Sequence, residues 1–349
     1  MPSNQSAPPV WARLFAAADH IKGIAPWEWM FEDEMFGVQD PISGQINYVS
    51  VMGHLGEHYS IAVYLGDEAA NDILSLMGNP QAADPERIME TRQLQLSYED
   101  RNQLEQNDRD FLKSLGLKYR GRNAWPMFRS FRAGYIPWRL DEEEAELLAT
   151  VLEQAIQVIE RYADDDDLLF SDEEDGEIKG KRYLVRVPAA TATGLTWRDE
   201  FKLLKPTPAQ VLNIGISKEA LRRVEKLPRK KGALEVDFFM VPAPIGTRGE
   251  RAQLPYMLLV VDAKSGMVFG ADMVEITGTV LDAMMQLPEM LITTFLRLGY
   301  LPSEIHTKSN RLAQILSGWA NHLEIRAQNR PRLPSLEMAK EGMLSFLDR

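Results

Sequence analysis

Cysteine is absent from the 349 residues. The chain therefore has no disulfide framework, no thiol nucleophile and no thiolate metal site. Histidine is scarce, with five in the chain, which argues against a histidine-rich metal enzyme. Apolar runs are short. Met257–Val261 is typical and falls far below the roughly 20 residues of a membrane-crossing helix. The opening MPSNQSAPPVWARLF carries no basic leader followed by an apolar core, so no secretory signal is read there. A cytoplasmic protein with no membrane partner is the expectation. There is no P-loop, no dinucleotide-binding glycine fingerprint and no Gly-x-Ser-x-Gly elbow.

What is present is ordinary globular composition, 45% hydrophobic and 26% charged, in a length that predicts about two domains. The net charge is −12, from 51 acidic and 39 basic side chains. This balance opposes a strong global attraction to nucleic acid or anionic lipid. The acidity is local, however. Asp164, Asp165, Asp166, Asp167, Asp172, Glu173, Glu174, Asp175 and Glu177 fall between residues 164 and 177, and without these nine the net charge is −3. A run of like charge reads as a solvated loop. A calcium site is the alternative, but the run lacks the glycine and glutamate positions of an EF-hand loop.

Upstream of the acidic loop the patterns predict an α+β domain. Helices are expected over Pro9–Ile21, Asp67–Met77, Asp84–Glu90 and Asp141–Tyr162. The last has Asp141 at its N-cap, acids in its first turn and an apolar stripe from Leu147 to Ile159. Strands are expected over Asn47–Met52, Tyr59–Leu65 and Gln93–Ser97, the first two joined by the turn Gly53-His-Leu-Gly56-Glu-His. Tyr98–Leu115 mixes polar and apolar residues at helical spacing. Beyond the acidic loop Arg182–Pro188 reads as a strand, and Thr196–Leu204 is amphipathic. Pro206 and Pro208 mark a boundary, giving expected domains over residues 1–205 and 206–349.

In the second domain Ser217–Lys226 is a basic helix. Leu234–Val241, Pro255–Asp262 and Gly266–Ile276 are strands, the last two forming a hairpin through Ala263-Lys-Ser-Gly266. A helix over Thr279–Leu298, kinked at Pro288, leads to a strand at Glu304–Thr307. Helix Ser309–His322, strand Leu323–Gln328 and helix Ser335–Leu347 complete the order β-β-β-α-β-α-β-α. This predicts an α/β domain with a mixed sheet and helices on its faces.

That order, with Val261-Asp262-Ala-Lys-Ser-Gly, Met267-Val-Phe-Gly and Leu301-Pro-Ser-Glu-Ile-His306-Thr307-Lys308-Ser309-Asn310, resembles the ribonuclease-H-like catalytic core of retroviral-type integrases and transposases. The resemblance implies two Mg²⁺ ions held by three carboxylates. The first maps onto Asp237, and the third onto Glu337 or, one helical turn later, Glu341. The second position holds Lys308. An ammonium ligates no metal and repels one, so the domain is expected to keep the fold without the chemistry, with no cofactor. Lys308 would then stand in for the metal charge, pairing with Asp237 or Glu337. The alternative leaves those acids as solvated groups at element ends. The whole chain also resembles a two-domain bacterial family of unknown function, through Ala25-Pro-Trp-Glu-Trp-Met30, Val51-Met-Gly-His-Leu-Gly56, Leu117-Lys-Tyr-Arg-Gly-Arg-Asn-Ala-Trp-Pro126 and Trp197-Arg-Asp-Glu200. That resemblance implies no activity.

Three further constellations invite a function. Lys118–Arg139 holds Lys118, Arg120, Arg122, Arg129, Arg132 and Arg139 without an acid, interleaved with six aromatic residues. Arginines on phosphates and aromatics under bases grip single strands. Equally, the aromatics pack inward and the arginines pair with distant acids. His54, Glu57 and His58 have a metal-like spacing inside a turn, without the helical zinc motif. Trp27 and Trp29 around Glu28 make either a ligand platform or a core anchor. Taken together, the expected function is a non-catalytic binding or assembly module, with nucleic acid or protein as partner. The alternative is a metal-dependent nuclease or strand-transfer enzyme using Asp237, Glu337 and Mg²⁺, with Asp262 or Glu341 as a further ligand.

Overall fold

The computed structural model describes residues 9–78, 85–170, 181–192, 194–206, 217–247 and 249–347. The chain forms two units, Met1–Arg132 with Pro137–Pro208, and Ala133–Ile136 with Ala209–Arg349. No helix among the described residues is long and apolar enough to cross a membrane.

The first unit runs α1 (Pro9–Ile24), β1 (Phe36–Gln39), β2 (Ile46–Met52), β3 (Ser60–Leu65), α2 (Gly66–Met77), α3 (Pro85–Glu90), β4 (Gln93–Glu99), α4 (Gln106–Ser114), β5 (Trp125–Phe131), α5 (Glu142–Tyr162), β6 (Arg182–Thr191) and β7 (Gly194–Leu203). Its seven strands form one sheet in the order β5-β4-β3-β2-β1-β6-β7. Pairing is antiparallel throughout except between β1 and β6. Alternation along β2 and β3 sends Val49, Val51, Ile61 and Val63 into the core that α1 and α5 cover. Tyr48, Ala62 and Tyr64 face the opposite way, toward Ala69, Ala70 and Ile73 of α2. The β2–β3 turn needs its glycine: Gly53 has φ +117, and a Cβ there would stand 2.8 Å from the His58 carbonyl oxygen.

Asp141 is the N-cap of α5. Its carboxylate accepts from Glu144 N at 2.8 Å, and Glu144 accepts from Asp141 N at 3.3 Å. The other oxygen of the buried Glu144, Oε1, accepts from Ser130 Oγ (2.8 Å), Arg92 Nη2 (2.9 Å) and Arg132 Nη2 (3.0 Å). Burial pushes this carboxyl's pKa up, but the three donors together outweigh it, and the group is held below its ordinary value.

Two strands, β1 and β5, have no counterpart among the expected elements, and Thr196–Leu204 forms most of β7. Of the acidic run, residues 164–170 follow α5 in turns. Asp172, Glu173, Glu174, Asp175 and Glu177 lie outside the described residues, as does Pro208.

The second unit runs α6 (Lys218–Val224), β8 (Arg229–Met240), β9 (Tyr256–Asp262), β10 (Val268–Val274), α7 (Val280–Met284), α8 (Leu287–Leu298), β11 (Leu301–Thr307), α9 (Asn310–Ala320), β12 (Arg326–Asn329) and α10 (Pro334–Leu347). The sheet order is β10-β9-β8-β11-β12. The first three strands are antiparallel, and β8, β11 and β12 are parallel. This is the mixed sheet of a ribonuclease-H-like fold. The Thr279–Leu298 segment is two helices rather than one kinked helix. Pro288 sits in the first turn of α8, where its missing N–H costs nothing. Residues 133–136 complete this unit. Leu254 N donates to Gly134 O at 2.8 Å and Ile136 N to Ala252 O at 3.1 Å.

Period-two alternation gives β8 and β9 two apolar faces. Leu234, Val236, Leu258 and Val260 pack with Leu287, Leu291, Phe295, Leu312 and Leu316 of α8 and α9. Phe239, Met257, Leu259 and Val261 pack with Leu333 and Leu336 at the start of α10.

Because the pKa of Glu144 is depressed in the fold, its contribution is present above the ordinary carboxyl value of 4.5 and is lost as pH falls through the folded value. Glu144→Gln is expected to cost about 1–3 kcal/mol at pH 7. The difference in Tm from the parent, followed by calorimetry, should narrow as pH is lowered below that value.

Candidate functional site

The face of the second sheet beneath α10 carries the residues that the integrase resemblance singles out. On β8, Glu235 and Asp237 alternate with Val236 and share the side of Phe239. Glu235 is 5% exposed, and its Oε2 accepts from Leu336 N at 2.7 Å. That N–H belongs to the first turn of α10, where no earlier carbonyl within the helix reaches it. A carboxylate also complements the positive end of the helix. Asp237 is half-buried and lies opposite Leu259 in register.

The parallel neighbour β11 places Glu304 beside Ala233 and His306 beside Glu235. Glu304 Oε2 lies 2.9 Å from His306 Nε2, and its other oxygen meets the guanidinium of Arg326 on β12. The hydrogen bond from His306, followed by the charges of Arg326 and Arg330, holds the Glu304 carboxyl below its ordinary pKa.

Just beyond β11, Lys308 Nζ lies 3.4 Å from Glu337 Oε1 of α10. Both side chains are largely open to solvent. Lys308 and Glu337 are thus brought together, and Asp237 occupies the same sheet face on β8. Asp262 serves its own hairpin. Its Oδ2 accepts from Ser265 Oγ at 2.6 Å and Ser265 N at 2.8 Å, and the Ser265 hydroxyl leads in holding its pKa down. Glu341 is exposed on α10.

These residues do not fit a pair of Mg²⁺ ions. Glu235 is spent on a backbone N–H, Glu304 on a histidine and an arginine, and Glu337 faces an ammonium. Among the described residues no group of three or more His, Asp or Glu side chains is placed to hold a metal.

Sequence reasoning missed Glu235, Glu304 and His306 as members of this face. The available signal was period two, because Glu235 shares its side with Asp237. That its carboxylate is buried follows from a partner 101 residues away, which no local pattern reports.

The basic stretch divides. Arg129 grips Asp108 through Nη2–Oδ2 at 2.6 Å and Nη1–Oδ1 at 3.0 Å, with both side chains 11% exposed. Arg132 serves Glu144. Phe128 is buried edge-on against Phe15 at 5.1 Å. Arg120 and Arg122 are exposed.

His54, Glu57 and His58 do not converge. His54 Nδ1 is 3.2 Å from Trp27 O, and His58 Nε2 is 3.2 Å from Gln95 Nε2. Trp27 is a core anchor at 4% exposure. With Tyr59 and Tyr98 it surrounds the Lys22 ammonium, whose distances to the three ring centroids are 5.0–5.2 Å. Burial lowers the pKa of Lys22. Trp29 lines a cavity of about 650 Å³ with Phe31, Glu34, Tyr162 and Phe170.

Glu235→Ala should strand the Leu336 N–H in an apolar setting and cost about 1–3 kcal/mol, with loss of amide-exchange protection at the start of α10. Lys308→Ala, which removes an exposed pair, should cost no more than about 1 kcal/mol. Urea unfolding of the full chain distinguishes the two.

Residues 11–186 match the family described as a domain of unknown function, DUF7309. Residues 220–344 match a second, DUF6930. Among curated proteins none matches significantly. Among solved structures, the HTLV-2 integrase catalytic core domain in complex with magnesium is 15% identical with a TM-score of 0.22, covering 35% of this chain and 71% of that one. By its longer match, across half of its length, the chain belongs to the DUF7309 family, and its later part is similar to DUF6930.

Proposed function

We propose that this chain is a non-catalytic binding or assembly protein of the bacterial cytoplasm, in which the ribonuclease-H-like sheet serves as a scaffold. The observation that carries this reading is the Lys308–Glu337 pair at 3.4 Å. A fixed positive charge beside the carboxylate raises the cost of bringing a divalent cation there. The engagement of Glu235 with α10 supports the same reading, since a buried carboxylate already serving a helix is a poor metal ligand. Fold alone assigns no chemistry, so the reading rests on these side chains.

Titration calorimetry with Mg²⁺ and Mn²⁺ into the millimolar range tests it, alongside incubation with labelled single- and double-stranded DNA and RNA. No saturable heat and no strand cleavage are expected. Saturable metal binding, or cleavage that disappears in Asp237→Ala, would establish the metal-dependent nuclease or strand-transfer alternative instead.

A further inference from the structure

The basic stretch that begins at Lys118 splits at β5. Its later arginines, Arg129 and Arg132, are held by acids of their own unit. Its earlier cations join others that lie far from them in sequence. Arg101, Arg109, Lys113, Lys118 and Arg120 line one cavity of about 470 Å³ between α4 and residues 115–125. Asp110 is the single acid in its wall, and it accepts from Gln106 Nε2 at 2.9 Å. Among the described residues Arg101, Lys113, Lys118 and Arg120 form no ion pair. A chain with a net charge of −12 thus gathers five uncompensated or anchored cations around one hollow, against one carboxylate.

The cavity is built. Arg109 is fixed by its own helix end: Nη2 donates to Gln106 Oε1 at 2.9 Å and Nη1 to Leu104 O. The facing loop is pinned by Leu117 N to Leu112 O at 3.0 Å and Asn123 N to Asp100 Oδ1 at 2.7 Å. The floor is apolar, with Leu112, Leu117 and the Trp125 ring. The Arg101 guanidinium stands 6.0 Å from the centroid of that ring.

We infer that this cleft of the first unit binds a nucleotide unit, as a free nucleoside phosphate or within a single strand. The cations receive the phosphate oxygens, and guanidinium groups do so with two parallel hydrogen bonds. The Trp125 and leucine floor suits the flat, weakly polar base. The volume lies in the range of small-ligand sites, roughly 300–1,000 Å³, and a duplex does not enter a hollow of that size. This inference is independent of the non-catalytic reading of the second unit.

Fluorescence anisotropy on the full chain tests it with two probes, a fluorescent adenosine triphosphate analogue and a fluorescein-labelled oligothymidylate. Each is measured at about 50 and 200 mM salt. Saturable binding of at least one probe is expected, weakening about tenfold or more at the higher salt. Lys118→Glu with Arg120→Glu should reduce that affinity at least about tenfold. Both side chains are exposed, and circular dichroism checks that the fold is kept. Arg222→Glu with Arg223→Glu, on the basic helix α6, should leave binding unchanged. Binding of the adenosine triphosphate analogue, with or without the strand, assigns the free nucleotide, and binding of the strand alone assigns the single strand. Absence of binding to either probe at low salt overturns the inference, as does binding that the Lys118/Arg120 variant leaves intact.

Discussion

A carboxylate taken out of water must be met by enough donors to replace its hydration. Each unit of this protein is arranged around one that is. In the first unit Glu144 collects Arg92, Arg132, Ser130 and the backbone N–H of Asp141. One side chain thereby ties the start of α5 to β5 and to the residues just before β4 and just after β5. In the second unit Glu235 of β8 receives the Leu336 N–H and holds the start of α10 on the sheet. Both acids sit at the N-terminal end of a helix, where the unpaired backbone donors and the helix dipole favour negative charge. The packing of Leu148 and Leu152 in one unit, and of Leu333 and Leu336 in the other, follows from where those helix ends are held.

The same requirement bears on function. On the face beneath α10 the acids Glu235 and Glu304 are committed to internal partners. Glu235 serves a helix and Glu304 a histidine and an arginine, while Glu337 faces Lys308. On that face Glu235 and Glu304 help to assemble the unit. In the first unit the reverse holds for the cations around Trp125. Among the described residues Arg101, Lys113, Lys118 and Arg120 form no ion pair, and they stand together because the turn after β4, α4 and residues 115–125 approach one another.

Much of the architecture is legible locally. The α5 cap, its acidic first turn and its apolar stripe are contained in about twenty adjacent residues, and the β2–β3 and β9–β10 hairpins are announced by their turns. These elements rest on interactions within one or two turns of chain. Strands β1 and β5 are not legible in that way. β1 has four residues, too few for a period to register. In β5, Trp125-Pro-Met-Phe-Arg-Ser-Phe131 alternates partly buried and buried positions, but Arg129 within it and Arg132 just after it read as a basic patch until Asp108 and Glu144 are placed beside them. The helix break before Pro288 was visible as a proline, and only the structure shows that it starts a new helix instead of bending an old one.

By itself, then, the sequence determined most of the element types, the strand order of the second unit, the exclusion of thiol chemistry and the presence of Lys308 where the resemblance implies an acid. Each is a matter of composition or of short-range periodicity. Only the tertiary structure decided which charges are spent and which are left over. Arg129 and Arg120 are nine positions apart and chemically identical, yet one is locked to Asp108 and the other lines an open cleft with Arg101 and Lys113. The free energy of a charge depends on its burial and on partners from distant parts of the chain, and those are set when the sheets and helices pack.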